Sequence, residues 1–281
     1  MTAETQALDA AAEAVAASDA LVVATGAGMG VDSGLPDFRG NEGFWRAYPP
    51  LRQLGISFME MANPDWFQRD PSLAWGFYGH RLHLYRATRP HGGFDILLTW
   101  GQRLSGGYFV FTSNVDGQHQ CAGFDAERVV ECHGSIHHLQ CTHCSAEPRI
   151  WSAAETEISV DEATFRAARP LPACPHCGEL ARPNVLMFGD WDWVPSRTAA
   201  QQQRLEDWLH TLPGKRLVIV EIGAGSAVPT VRHTSERLVA LLNGKLVRIN
   251  PREPSVPPGQ IGIAAPAHET LRSIRDRLPA P

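Results

Sequence analysis

One junction near the start of the chain constrains its fold more than any other stretch. Leu21-Val22-Val23-Ala24 is a short apolar run of the kind buried on both faces in a parallel sheet. It empties into Thr25-Gly26-Ala27-Gly28-Met29-Gly30-Val31-Asp32-Ser33-Gly34-Leu35-Pro36-Asp37-Phe38-Arg39-Gly40. Glycines at the end of a strand let bare N–H groups approach a phosphate, at the positive end of the helix expected to follow. The first expectation is therefore a nucleotide-diphosphate site at the carboxyl end of the first strand. The usual dinucleotide fingerprint would place a third glycine at position 31, where this chain has Val31, so an ordinary dehydrogenase loop fits poorly. The polar tail Ser33–Arg39 adds one aromatic ring and one guanidinium.

The chain has 281 residues, 43% hydrophobic and 20% charged, enough for one large domain and a smaller module. A net charge of −5 argues against a dedicated nucleic-acid binder. No apolar run approaches membrane-spanning length, and the N-terminus lacks a cationic secretory start, so a cytoplasmic enzyme is expected. Four of the six cysteines form two Cys-x-x-Cys pairs, Cys141/Cys144 and Cys174/Cys177. Each pair offers two thiolates at tetrahedral bite, a strong zinc signal, with redox disulfides as the rival. Four thiolates leave no open coordination position, so the ion would be structural. The long gap between the pairs implies an excursion over Ser152–Ala168, expected to be helical around Phe165.

Other elements follow from periodicity. Residues 5–18 form a helix with Leu8, Ala12 and Val15 on one face, and residues 63–88 read as helical, bounded by prolines. The segment 41–50 reads either as a loop closing over a cofactor or as a surface loop anchored by Trp45. Tyr108–Phe111 is a second buried strand that delivers Thr112-Ser113-Asn114-Val115-Asp116-Gly117-Gln118-His119, polar residues where an open α/β sheet builds its site. Val129-Val130 leads into Glu131-Cys132-His133-Gly134-Ser135, and an imidazole there suits proton transfer near neutrality. Leu217–Ile222 is another buried strand, emptying into Gly223-Ala224-Gly225-Ser226, and Leu246–Asn250 is a further one.

Taken in order, these stretches resemble the sirtuin family of NAD-dependent protein-lysine deacylases, of bacterial type, over residues 20 to about 265. Thr25–Arg39 is similar to the family's G-A-G-x-S-x-x-S-G-I-P-D-F-R, with Gly30 for the first serine. Thr112–Gly123 is similar to T-Q-N-I-D-x-L-H-x-x-A-G, with Ser113 for glutamine. Glu131–Ser135 is similar to E-L-H-G-S, and Arg182–Asp190 to R-P-x-V-V-x-F-G-E with a shorter acid at 190. Gly223–Pro229 resembles G-T-S-x-x-V-x-P but lacks two hydroxyls and reaches its proline a residue early.

The resemblance implies a Rossmann-like parallel sheet with helices on both faces, built from 1–40, 91–136 and 183–281. It implies a smaller lobe made of a helical insertion, 41–90, and a four-cysteine zinc module, 137–182. It implies NAD+ as co-substrate, held by Gly26, Ala27, Gly28, Asp37, Phe38, Arg39, Ser113, Asn114, Val115, Asp116, Gly223, Ser226 and Asn250. His133 becomes the general base and Asn114 a catalytic ribose-side contact, while Val185, Phe188 and Gly189 meet an acyl-lysine protein or peptide. Some members carry Y-x-x-R to grip a carboxylate on the acyl group, which would give that task to Tyr78 and Arg81. Acetyl, succinyl or malonyl groups would then leave lysine as O-acyl-ADP-ribose, with release of nicotinamide. The alternatives are ADP-ribosyl transfer, NAD+ hydrolysis, or a non-enzymatic NAD+ or ADP-ribose sensor.

Overall fold

The computed structural model describes residues 2–36 and 40–279. Among the described residues the strands are β1 (Ala20–Thr25), β2 (Tyr108–Thr112), β3 (Val129–Glu131), β4 (Gly134–Cys141), β5 (Ile150–Ser152), β6 (Val160–Asp161), β7 (Arg166–Ala167), β8 (Ala181–Val185), β9 (Leu217–Ile222), β10 (Lys245–Ile249) and β11 (Ile261–Ile263). Six of them form one parallel sheet in the order β11-β10-β9-β1-β2-β3. Side chains alternate across a strand, so a run that is apolar throughout must be covered on both faces. Leu21, Val23, Val218, Val220 and Val247 enter one core, whereas Val22, Ala24, Ile219 and Leu246 enter another.

The helices are α1 (Ala3–Ala16), α2 (Gly40–Ala47), α3 (Pro49–Gln53), α4 (Phe58–Met61), α5 (Trp66–Arg69), α6 (Pro71–Ala87), α7 (Gly92–Arg103), α8 (Gln118–Cys121), α9 (Ser196–Leu209), α10 (Thr230–Leu242) and α11 (Ala267–Arg275). The first core is closed by α1, α7 and α11, and the second by α9 and α10. No helix among the described residues is long and apolar enough to cross a membrane. The chain runs β1 to β2 on one side of β1 and later places β9 on the other. Between β1 and β9 the strand order therefore reverses, which opens a crevice at their carboxyl ends.

A third core belongs to the smaller lobe, where α2 to α6 pack with the antiparallel sheet β5-β4-β8. Segment 41–50 is helical rather than either kind of loop. Phe44, Tyr48 and Leu51 recur at helical spacing and are buried there, and Trp45 Nε1 donates to the Ile56 carbonyl at 2.7 Å. The excursion 152–168 also departs from expectation: it carries the hairpin β6–β7, not a helix, with Phe165 at φ +55°. The hairpin lies directly on α6 because α6 presents Gly76 and Gly79. A Cβ on Gly76 would sit 2.1 Å from the Phe165 carbonyl oxygen.

Candidate active site

The loops after β1, β2, β3 and β9 and the facing wall of the smaller lobe enclose a cavity of about 670 Å³. From the sequence-derived candidates it gathers Gly26, Ala27 and Gly223 of the glycine loops and Ser113 to Asp116 of the β2 loop. It also gathers His133, the pair Tyr78 and Arg81, and Val185 with Phe188. Gly28, Gly189, Ser226 and Asn250 are not among its lining residues. Asp37, Phe38 and Arg39 lie outside the described residues.

The glycine loops from β1 and β9 are stitched together. Gly26 N donates to the Ile222 carbonyl at 3.0 Å, and Gly28 N to the Gly223 carbonyl at 3.1 Å. Gly223 has φ +64°, and a Cβ there would lie 2.4 Å from the Gly28 Cα, so only glycine fits. Among the described residues no partner is found for the Ala27 N–H. The helix expected after this loop is absent. Two short 3₁₀ turns, Ala27–Met29 and Val31–Ser33, stand in its place, so the loop offers individual N–H groups rather than a helix dipole.

Asn114 is set by its neighbours: Nδ2 donates to the Gly26 carbonyl at 3.1 Å, and its N–H to Thr112 Oγ1 at 3.0 Å. Beneath it, Thr25 Oγ1 donates to Thr112 Oγ1 at 2.8 Å and lies 2.9 Å from His119 Nε2. Burial pushes the His119 imidazole down to about 3, so it stays neutral and serves as a donor in this chain. Asp116 is buried, and that burial raises its carboxyl to about 6, although Oδ1 accepts from Gln118 N at 2.9 Å. His137 Nε2 reaches the Asp116 carbonyl at 2.9 Å and fixes the backbone there.

His133 stands where the chain leaves the parallel sheet for β4. The turn requires Gly134, with φ +77° and a would-be Cβ 2.1 Å from the Asn184 carbonyl oxygen. Leu186 N donates to the His133 carbonyl at 2.9 Å, and Thr230 Oγ1 lies 3.5 Å from His133 Nε2. Burial holds this imidazole below its ordinary pKa and keeps it able to accept a proton.

On the opposite wall, Arg81 donates to the Tyr85 hydroxyl from Nε at 3.0 Å and from Nη2 at 2.7 Å. Phe58, Val115, Val185 and Phe188 make the surroundings apolar. Phe188 N donates to the Ala62 carbonyl at 2.9 Å and so ties the segment after β8 to the helical lobe. Gly189, at φ +68°, turns that segment. Asn250 is fully buried: Nδ2 donates to the Ala224 carbonyl at 2.9 Å, and Oδ1 accepts from Arg252 N and Glu253 N, each at 3.1 Å. Its side chain supports two cavity loops from behind. Ser226 is exposed, and its N–H donates to Glu253 Oε2 at 2.8 Å.

Tyr85, Met187, Arg252 and Glu253 also line the cavity without having been marked by the sequence. Tyr85 had a legible signal, since it lies one helical turn beyond Arg81. Arg252 and Glu253 had only their place after a strand.

The four cysteines converge as expected. Their Sγ atoms all lie within 4.8 Å of one another, with Cys141–Cys177 at 3.6 Å and Cys144–Cys174 at 3.7 Å. None is in a disulfide. His143 N and Cys144 N each donate to Cys141 Sγ at 3.2 Å. The donor set fits a tetrahedral zinc ion without any histidine.

The sequence model of the Sir2 family matches residues 26–209. The NAD-dependent protein deacylase of Aquifex aeolicus is 30% identical over 234 residues, covering 83% of this chain and 84% of that protein. The NAD-dependent protein deacylase 1 of Archaeoglobus fulgidus is 30% identical over 264 residues, covering 92% and 93%. A solved Sir2 homologue in complex with NAD superposes with a TM-score of 0.68 at 26% identity, over 98% of this chain and 94% of that one. Since the family's pattern spans well over half of the residues and the same fold carries it, the chain belongs to the Sir2 family.

Proposed function

We propose that this protein removes acyl groups from lysine side chains with NAD+ as co-substrate, giving nicotinamide, free lysine and O-acyl-ADP-ribose. The observation that carries the reading is the placement of His133 in the same cavity as two stitched glycine loops and an apolar channel. NAD+, when bound, supplies an electrophilic ribose carbon, a leaving group and an acceptor for the acyl chain.

The chain's residues do the rest. Ala27 and the glycine loops hold the diphosphate, Asp116 and Val115 face the nicotinamide, and Asn114 is oriented toward the ribose by Gly26. His133 takes a proton from a ribose hydroxyl so that this oxygen can attack the acyl carbon. Val185 and Phe188 line the acyl-lysine channel and exclude water, and the backbone around Gly189 receives the substrate peptide as an added strand. Asn250 and Ser226 act on the cofactor through the loops they hold. The cysteine cluster binds one structural zinc ion, and four reduced thiolates suit a cytoplasmic setting. Tyr78 and Arg81 give the acyl end of the channel a hydroxyl and a guanidinium, which suits an acyl group ending in a carboxylate.

The test is mass spectrometry of products from acetyl-, malonyl- and succinyl-lysine peptides with NAD+. O-acyl-ADP-ribose is expected. Free ADP-ribose or ADP-ribosylated protein without it would replace deacylation by NAD+ hydrolysis or transfer, and no nicotinamide release would leave only a binding module.

A further inference from the structure

Trp191 follows directly on the turn that carries Phe188 and Gly189, and it is 96% exposed. Tryptophan is mostly buried in folded proteins, so an indole left almost wholly in water calls for a reason. A loose backbone is not that reason. On one side, Asp190 accepts from Met187 N and Asp192 N while Arg182 clamps its carboxylate. On the other, Gln140 of β4 and Asn184 of β8 hold the chain, and they are 1% and 0% exposed. Gln140 Nε2 donates to the Asp192 carbonyl at 2.9 Å, and its Oε1 accepts from Val194 N at 3.1 Å. Asn184 Nδ2 donates to the Val194 carbonyl and to Gln140 Oε1, each at 2.9 Å. Two interior side chains of the smaller lobe are thus committed to fixing the backbone beneath one surface ring.

The neighbouring Asp192 is also exposed, and among the described residues its carboxylate has no hydrogen-bond or ion-pair partner. An aromatic face beside an unpaired carboxylate suits a cation: the ring quadrupole attracts an ammonium or guanidinium, and the carboxylate adds its charge. A net charge of −5 favours the approach of a basic segment. Position then selects the occupant. Phe188 lines the cavity, and Trp191 lies three residues further along. At about 3.3 Å per residue, a peptide paired along this segment brings to the indole a side chain within about three positions of its acyl-lysine. We propose that Trp191 and Asp192 form a substrate subsite for an arginine or lysine side chain flanking the acyl-lysine. The ring takes the face of the cation, Asp192 takes its charge, and Gln140 and Asn184 are positioning residues. The subsite rests on the deacylase reading and adds to it a class of target, acyl-lysines in basic stretches.

The experiment measures kcat/KM for acetyl- and succinyl-lysine peptides that carry arginine, citrulline or phenylalanine at each of the three positions on either side. Citrulline keeps the planar end of arginine and loses its charge. At one of these positions arginine should exceed citrulline about two- to fivefold, mainly through KM, the size of one exposed cation–π contact. Trp191→Ala should abolish that preference. Trp191→Phe should keep part of it, because indole offers a cation the strongest ring face. Asp192→Asn should lower the preference about twofold and blunt its decline with added salt. Both side chains lie on the surface, so thermal melts matching wild type separate lost recognition from lost fold. No arginine preference at any position, a preference that survives Trp191→Ala, or phenylalanine outdoing arginine at the Trp191-dependent position each overturns the subsite. In all three cases O-acyl-ADP-ribose still forms, whereas a wild type that forms none from any peptide overturns the deacylase reading itself.

Discussion

Arg182 meets Asp190 through two parallel hydrogen bonds, each 2.8 Å, with their side chains 3% and 0% exposed. The same carboxylate accepts from Met187 N at 3.3 Å and from Asp192 N at 3.2 Å, which folds the turn carrying Phe188 and Gly189. Removing one charge of a buried pair strands the other. Asp190→Asn should therefore cost about 3–5 kcal/mol in urea unfolding and raise KM for the peptide. A loss below about 1 kcal/mol would show that the pair does not organise the turn.

His133→Ala should keep zinc and secondary structure while kcat for deacylation falls about 10²–10⁴-fold, the usual contribution of a general base. Calorimetric NAD+ titration and product analysis check both halves. Turnover comparable to wild type would remove His133 from the chemistry.

Stability should fall in mild acid. Burial lowers His119 to about 3 and His138 to about 4, so the unfolded chain binds these protons near pH 6.5 and the folded one does not. Their contribution is complete above pH 6.5 and is lost as pH falls toward 4. Asp116, raised to about 6, works in the opposite sense between pH 6 and 4. Two histidines outweigh one carboxyl, and allowing for the half-buried His138 leaves a loss of roughly 2–4 kcal/mol. Urea midpoints at pH 7 and pH 4.5 measure it, and equal midpoints contradict the burial argument.

Metal analysis should find one zinc per chain, lost in Cys177→Ser and retained in Cys121→Ser, because only the former belongs to the cluster. Chelation should lower the melting temperature and, through β4, which begins beside His133, reduce turnover. Full activity in metal-free protein would sever the module from the site.

Gly223→Ala places a methyl group against Gly28 at a positive φ. The expected result is a loss of about 2 kcal/mol or more and NAD+ binding weakened at least about tenfold. Isothermal titration beside thermal melts separates the two effects. Wild-type affinity in this variant would show that the stitched loops do not hold the cofactor.

Much of this molecule was legible before folding because its signals are local. Val22 and Ile219 sit in runs so apolar that only a strand covered on both faces accommodates them, and Cys141-x-x-Cys144 carries its bite within one turn of chain. The helix at Phe44 and Tyr48 was harder, since Gly43 and the prolines at 49 and 50 imitate a loop while the buried face appears only against the smaller lobe's core. The hairpin at Phe165 was hidden because its reason is elsewhere, in the missing Cβ of Gly76.

By itself the order of motifs determined a parallel sheet, a crevice at its carboxyl edge and a four-cysteine cluster, and it named candidates for the site. Tertiary structure alone decided which of those groups line the cavity and which face each other. Gly28 N turns to Gly223, Asn250 turns inward to Ala224, and Arg81 is met by Tyr85. The physical reason is that each donor or acceptor satisfies itself with whatever partner the fold brings within about 3 Å. That partner is a property of three-dimensional distance, which spacing along a chain does not encode.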